Sequence, residues 1–185
     1  MYEIFADLHI HIGRSENGKP IKITGARSLN FANIAKECYE RKGIQVAGII
    51  DCASPYVIED IENFLKTGDA YELKDGGIIY KDKVCILLGS EVETSEKGRN
   101  GKSGSAHNVC FFPYLKDIKG FSNELAKHVK NVTLSTQRSD LSGYDLVDIV
   151  EKYNGIVIPA HIFTPHKSYY GNCTDRLKDI FKEKY

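Results

Sequence analysis

Short apolar runs that end on a His, Asp or Glu recur along this chain, and that repetition constrains its fold more than any other feature. "ADLHIHIG" (6–13) leads into His9 and His11. "IQVAGII" (44–50) stops at Asp51, "VCILLGS" (84–90) at Glu91 and "IVIPA" (156–160) at His161. The intervening segments read as helices. Phe31, Ile34, Ala35 and Cys38 recur at helical spacing over 29–41, with Gly43 as the stop. Ser54 followed by Pro55 opens a second helix to about Lys66. Others are expected from Ser122 to about Asn131, over 144–153, and over 174–185. Strands alternating with helices predict an α/β fold with mostly parallel strands, a single domain over 1–185.

Composition narrows the class. At 185 residues the chain suits one domain with a proper core. Lys plus Arg and Asp plus Glu both number 25, so overall charge neither favours nor excludes a nucleic-acid partner. No apolar run is long enough to span a bilayer and the N-terminus carries no basic-then-apolar signal, so no membrane partner is expected. The five cysteines are scattered with no CxxC pair, which reads as reduced thiols in a cytoplasmic protein.

In parallel α/β folds the carboxyl ends of the strands share one face, where sites are built. His9, His11, Asp51, Glu91 and His161 all fall there. His107 opens a strand instead, and joins the others if that strand runs antiparallel to the one ending at Glu91. Residues i and i+2 of a strand point the same way, so Asp7, His9 and His11 are expected to project together. Imidazoles with carboxylates, and no thiolate cluster, suit zinc, manganese or iron at an open catalytic site. Several carboxylates allow two or more ions, with Glu91 bridging them. Glu91 and Asp51 are the candidate catalytic carboxylates. Single features have blander readings: His128 is a solvated helix face among lysines, and Cys52 a small buried thiol. The coincidence at four strand ends lifts the set above them. Arg14, Lys19, Lys22 and Arg27 cluster in the loop after the His pair and can contact phosphates; His166 and Lys167 are further substrate candidates. Tyr169 and Tyr170 either stack on a base or pack. The tract 94–105, without a large apolar residue, reads as flexible.

"DLHIH", "GIIDCASP", "GSEVET", "AHNVCFFP" and "IPAHIFTPHKSYYG" resemble the polymerase-and-histidinol-phosphatase (PHP) superfamily over nearly the whole chain. "ITGARSLN" and "PAHIFTPHKSYYG" are similar to its endonuclease Q branch. The resemblance implies a distorted (β/α)7 barrel with two or three zinc or manganese ions. It implies phosphoester hydrolysis and, in this branch, nicking of DNA beside deaminated bases or abasic sites. Carried over by position, His9, His11, Asp51, Glu91, His107 and His161 match the metal ligands, and Asp7 an outer partner that orients a ligand imidazole. The family's late Asp-x-His motif has no counterpart here, and a closed barrel of this kind runs to roughly 250 residues. The chain therefore reads as an N-terminal portion lacking the final strands, nearly inactive by itself. The alternatives are a small-molecule phosphatase of the histidinol-phosphatase type and a non-catalytic interaction domain of the same fold.

Overall fold

Three parallel strands form the spine of the molecule. In the computed structural model, which describes residues 3–97 and 103–184, β1 (Ala6–Ile10) pairs with β2 (Val46–Ile49), and β2 with the first half of β5 (Val84–Lys97). The crossovers are helical, as parallel pairing requires. α1 (Phe31–Glu37) is capped by the Asn30 side chain, which accepts from the Asn33 N–H at 2.8 Å; it continues as a π-helical turn to Lys42 and ends at Gly43, φ 64°. α2 (Pro55–Lys66) starts on its proline. Between α2 and β5 the chain folds a small hairpin, β3 (Ala70–Glu72) and β4 (Ile78–Tyr80), whose second strand runs antiparallel to β5.

Beyond Leu88 strand β5 leaves β2 and runs on as a long hairpin with β6 (Ser103–Phe112); β7 (Ile156–Pro159) adds antiparallel to β6. One expectation is corrected here: the sheet is mixed, not mostly parallel. Its seven strands form an open sheet, with no barrel closed among the described residues. β1 and β7 are free edges among the described residues. The large exposed aliphatics concentrate there, at Ile4, Leu8, Ile156 and Ile158, with Phe5 beside them. The tract expected to be flexible is largely ladder: Thr94 pairs with Ala106, Ser95 with Ser105 and Glu96 with Gly104. Its polar side chains are satisfied in place of apolar burial. Thr94 Oγ1 donates to the Ala106 carbonyl, and Ser95 Oγ to that of Ser139. Residues 98–102 of that tract lie outside the described residues.

The core lies between the sheet and its helices, with Phe31, Ile61, Ile86, Leu88 and Phe121 all buried. α3 spans Leu115–Leu125, earlier than expected. Its buried face is Leu115, Ile118, Phe121 and Leu125, so Ser122 is interior, donating to the Ala53 carbonyl at 2.6 Å, and is not a cap. α4 (Gly143–Lys152) carries a capping box between Ser142 and Asp145. The C-terminal helix is shorter than expected, α5 (Lys178–Phe181) with a 3-10 turn after it. Among the described residues no helix is long and apolar enough to cross a membrane.

Asp60 on α2 is buried, accepting the Glu16 N–H at 2.9 Å. Burial pushes its carboxyl up to about 6, against 3.8 ordinarily. The folded value lies above the unfolded one, so the stability tied to the protonated form is complete below about pH 4 and lost as pH rises through about 6. Asn keeps the acceptor without the buried charge. Asp60→Asn is therefore expected to stabilise the fold by about 1–2 kcal/mol at pH 7.5, roughly 3–6 °C in melting temperature, and by little at pH 4.5. Thermal melts at the two pH values check it; an equal gain at both would show that charge is not the cause.

Candidate metal centre

The centre is built around Glu91, buried at 5% exposure in the middle of β5. It does not end its strand as expected, because β5 continues into the hairpin. His9 Nε2 lies 3.4 Å from Glu91 Oε1, and His11 Nε2 lies 3.5 Å from Oε2. From the other side His107 Nδ1 lies 3.2 Å from Oε1, and His161 Nε2 is 3.3 Å from His107 Nδ1. The donor atoms form two clusters, His9–His11–Glu91 and Glu91–His107–His161, each within 4.8 Å, and Glu91 belongs to both. Burial raises the Glu91 carboxyl, but hydrogen bonds with His107, His9 and Thr136 outweigh it and hold the group far below the usual carboxylate range. The same contact with Glu91 raises His9 against the lowering effect of its own burial.

A bulge in β1 aims the first histidine pair. Asp7 pairs with Ala47 and Ile10 with Ile49, three steps along β1 against two along β2. The extra residue flips the alternation. Asp7 thus shares the Ile10 face, and both line a groove with Asn33 and Ile34 of α1, while His9 and His11 turn to the opposite face. Gly48 accommodates the bulge: a Cβ there would stand 2.8 Å from both the Cα and the O of Leu8. The expectation that Asp7 projects with the histidines is corrected. Its carboxylate accepts the His9 main-chain N–H at 3.1 Å.

Asp51 stands where Asp7 was expected. Its carboxylate lies 3.0 Å from His11 Nδ1 and accepts the Ile12 N–H at 2.7 Å; it belongs to neither donor cluster. That contact puts the His11 proton on Nδ1 and leaves the Nε2 lone pair facing inward. Lys22 Nζ already stands 2.6 Å from that lone pair, placed by the Lys22 N–H bond to the Ile12 carbonyl. The Lys22 ammonium thus stands at the nitrogen an ion would take, and the nitrogen and carboxylate donors suit a transition-metal ion.

The other substrate candidates scatter. Arg14 donates to the Gly18 carbonyl of its own loop, Arg27 and His166 are exposed, and Lys167 pairs with Glu93 at 2.9 Å. His128 follows α3 instead of lying within it, 2.8 Å from Asp140. Cys52 is a buried thiol, pushed up by desolvation, donating to the Ile49 carbonyl. Tyr169 is fully buried, whereas Tyr170 stacks at 5.1 Å and 9° on Phe163, which is 79% exposed. Sequence reasoning missed Phe163, Glu93 and the loop that holds Ser135 and Thr136. Ser135 Oγ lies 3.2 Å from His11 Nδ1, and Thr136 Oγ1 donates to Glu91 Oε2 at 2.7 Å. Thr136 adopts φ 48°, costly for a β-branched residue and sustained by these contacts. No local motif announces such a loop.

No family model matches the chain. It is 48% identical over 182 residues to the uncharacterized protein YqxK of Bacillus subtilis, and 27% identical over 161 residues to an uncharacterized protein of Methanocaldococcus jannaschii. These matches take in 98% and 86% of this chain but 46% and 16% of the relatives, so the chain spans less than half the length of either. Among solved structures it superposes on endonuclease Q in complex with a 27-mer duplex bearing an abasic lesion, with TM-score 0.74 and 22% identity over 96% of this chain. The chain has the endonuclease Q fold. The lesion-specific endonuclease Q of Pyrococcus furiosus agrees, with TM-score 0.74 and 23% identity over 97% of this chain; each endonuclease Q chain is covered to 40%. The superpositions bear out the endonuclease Q-like fold that the motifs imply.

Proposed function

We propose that this chain is the metal-site segment of a divalent-metal-dependent phosphoesterase, a DNA repair endonuclease that cuts beside deaminated bases or abasic sites. The observation that carries the reading is the shared carboxylate: Glu91 joins the His9–His11 pair and the His107–His161 pair. The endonuclease Q fold supports the substrate class. His9, His11, Glu91, His107 and His161 are the proposed ligands, with zinc or manganese as the ions. When bound, such ions acidify a water and neutralise phosphoryl charge. The protein's own groups do the rest. Glu91 bridges the two halves. Asp51 fixes the His11 ring from outside the ligand set. Lys22, displaced from His11 Nε2 when an ion binds, pairs with a phosphate oxygen, and the open face of Phe163 takes a base by stacking.

The test has two arms. The chain, purified without a His tag, is expected to retain metal that a His9→Ala/His11→Ala double mutant lacks, by elemental analysis. Labelled duplexes with and without a single uracil, hypoxanthine or abasic site are then incubated with this chain and with full-length YqxK. Lesion-dependent nicking is expected, stronger in the longer protein. Nicking of undamaged duplex alone would remove the repair reading. Release of phosphate from a small ester without any nicking would favour the phosphatase. Equal, negligible metal in wild type and double mutant would leave a non-catalytic domain.

A further inference from the structure

Glu93 is assigned no role by the fold or the motifs, yet it is 7% exposed and faces the centre. In the β5–β6 ladder it pairs directly with His107, so the two side chains share a face. Glu91 lies two residues earlier on the same strand and the same face. The His107 ring thus sits between two carboxylates, with Nδ1 3.2 Å from Glu91 Oε1 and Nε2 3.5 Å from Glu93 Oε2. His107 Nε2 is buried and makes no hydrogen bond of good geometry among the described residues; the Glu93 carboxylate is the acceptor it faces. Glu93 is itself held. Lys167 Nζ lies 2.9 Å from its Oε2, and Arg138 Nε 4.0 Å from its Oε1. The Lys167 main chain is tied to the same place, since its carbonyl accepts the His107 N–H at 2.9 Å.

Which imidazole nitrogen can meet an ion is set by the partner of the other nitrogen. His11 gives Nδ1 to Asp51, and His161 gives Nδ1 to Thr164 Oγ1 at 3.0 Å, so both turn Nε2 inward. His107 is reversed. We propose that Glu93 is the positioning residue of His107: it takes the Nε2–H and leaves Nδ1 as the nitrogen that meets the ion beside Glu91 and His161. Lys167 holds Glu93 in place and is not a substrate ligand.

The inference rests on the metal-site reading but not on the DNA substrate. Long-range ¹⁵N–¹H NMR of the zinc-loaded, ¹⁵N-His-labelled chain reports the tautomer of each imidazole. His107 is expected to carry its proton on Nε2, in contrast to His11 and His161. Glu93→Gln keeps an acceptor and is expected to keep that tautomer; Glu93→Leu is expected to lose it. Zinc titration by calorimetry should then show roughly 10–100-fold weaker binding at one of two sites in Glu93→Leu, a lesser loss in Lys167→Met, and near wild-type binding in Glu93→Gln. A proton on His107 Nδ1 in the wild type, or an unchanged tautomer in Glu93→Leu, overturns the proposal. The wild-type spectrum decides alone if Glu93→Leu does not fold. Absence of zinc binding by the wild type would instead sink the metal-site reading.

Discussion

Glu91→Gln is expected to abolish tight metal binding at both histidine pairs in one step. Its carboxylate belongs to both donor clusters, whereas each histidine serves one. Losing a partner outside the ligand set typically costs roughly 10–100-fold in metal affinity, and loss of a shared anionic ligand should exceed that at each site. His9→Ala/His11→Ala should remove one ion and His107→Ala/His161→Ala the other, while Glu91→Gln, a smaller change, removes both. Zinc stoichiometry by calorimetry separates these outcomes; a Glu91→Gln chain that still binds one equivalent as tightly as the wild type would refute the bridge. The metal-free protein should also respond to acid. The Glu91 carboxyl is lowered in the folded state, so its contribution is present above its ordinary value of 4.5 and lost as pH falls. Glu91→Gln should flatten that part of the acid-stability curve.

Gly48→Ala should strain the sheet where it positions the first histidine pair. The added carbon meets the main chain of Leu8 at 2.8 Å, and backbone cannot swing aside as a side chain can. Overpacking of this kind costs about 1–3 kcal/mol. Flattening the bulge relieves that strain, and a flattened β1 returns His9 and His11 to the face of Asp7. The expected result is a melting temperature lower by roughly 4–10 °C, with weakened metal binding at the His9–His11 pair and little change at His107–His161. Unchanged stability and unchanged stoichiometry would show that the bulge is not needed.

That bulge also explains where sequence reasoning stops. His9, His11, Glu91, His107 and His161 were legible because each sits in or beside an apolar run whose length and flanks betray a strand. Their convergence followed from strand polarity together with one hairpin. The roles of Asp7 and Asp51 were not legible. Strict alternation assumes a regular pleat, and one inserted residue exchanges the two faces; the only local sign is a glycine inside β2. The span of β5 was missed for a related reason. Ser95 and Glu96 look like loop residues until the carbonyl of Ser139 and the N–H of Gly143 are seen to satisfy them. Ser135, Thr136 and Glu93 are held by contacts between residues far apart in the chain, which no window of sequence contains.

The shared carboxylate has a consequence for how this molecule is made. The histidines that meet at Glu91 come from β1 and its end, from β6 and from just beyond β7, so the donor set does not exist until strands far apart in sequence have paired. Non-local closure of this kind slows folding, because loop entropy is spent before the contacts form. An ion that recognises only the finished arrangement acts as a thermodynamic latch. At a free concentration one hundred times its dissociation constant it deepens the native well by about 2.7 kcal/mol. Metal supply would then govern how long the folded chain persists.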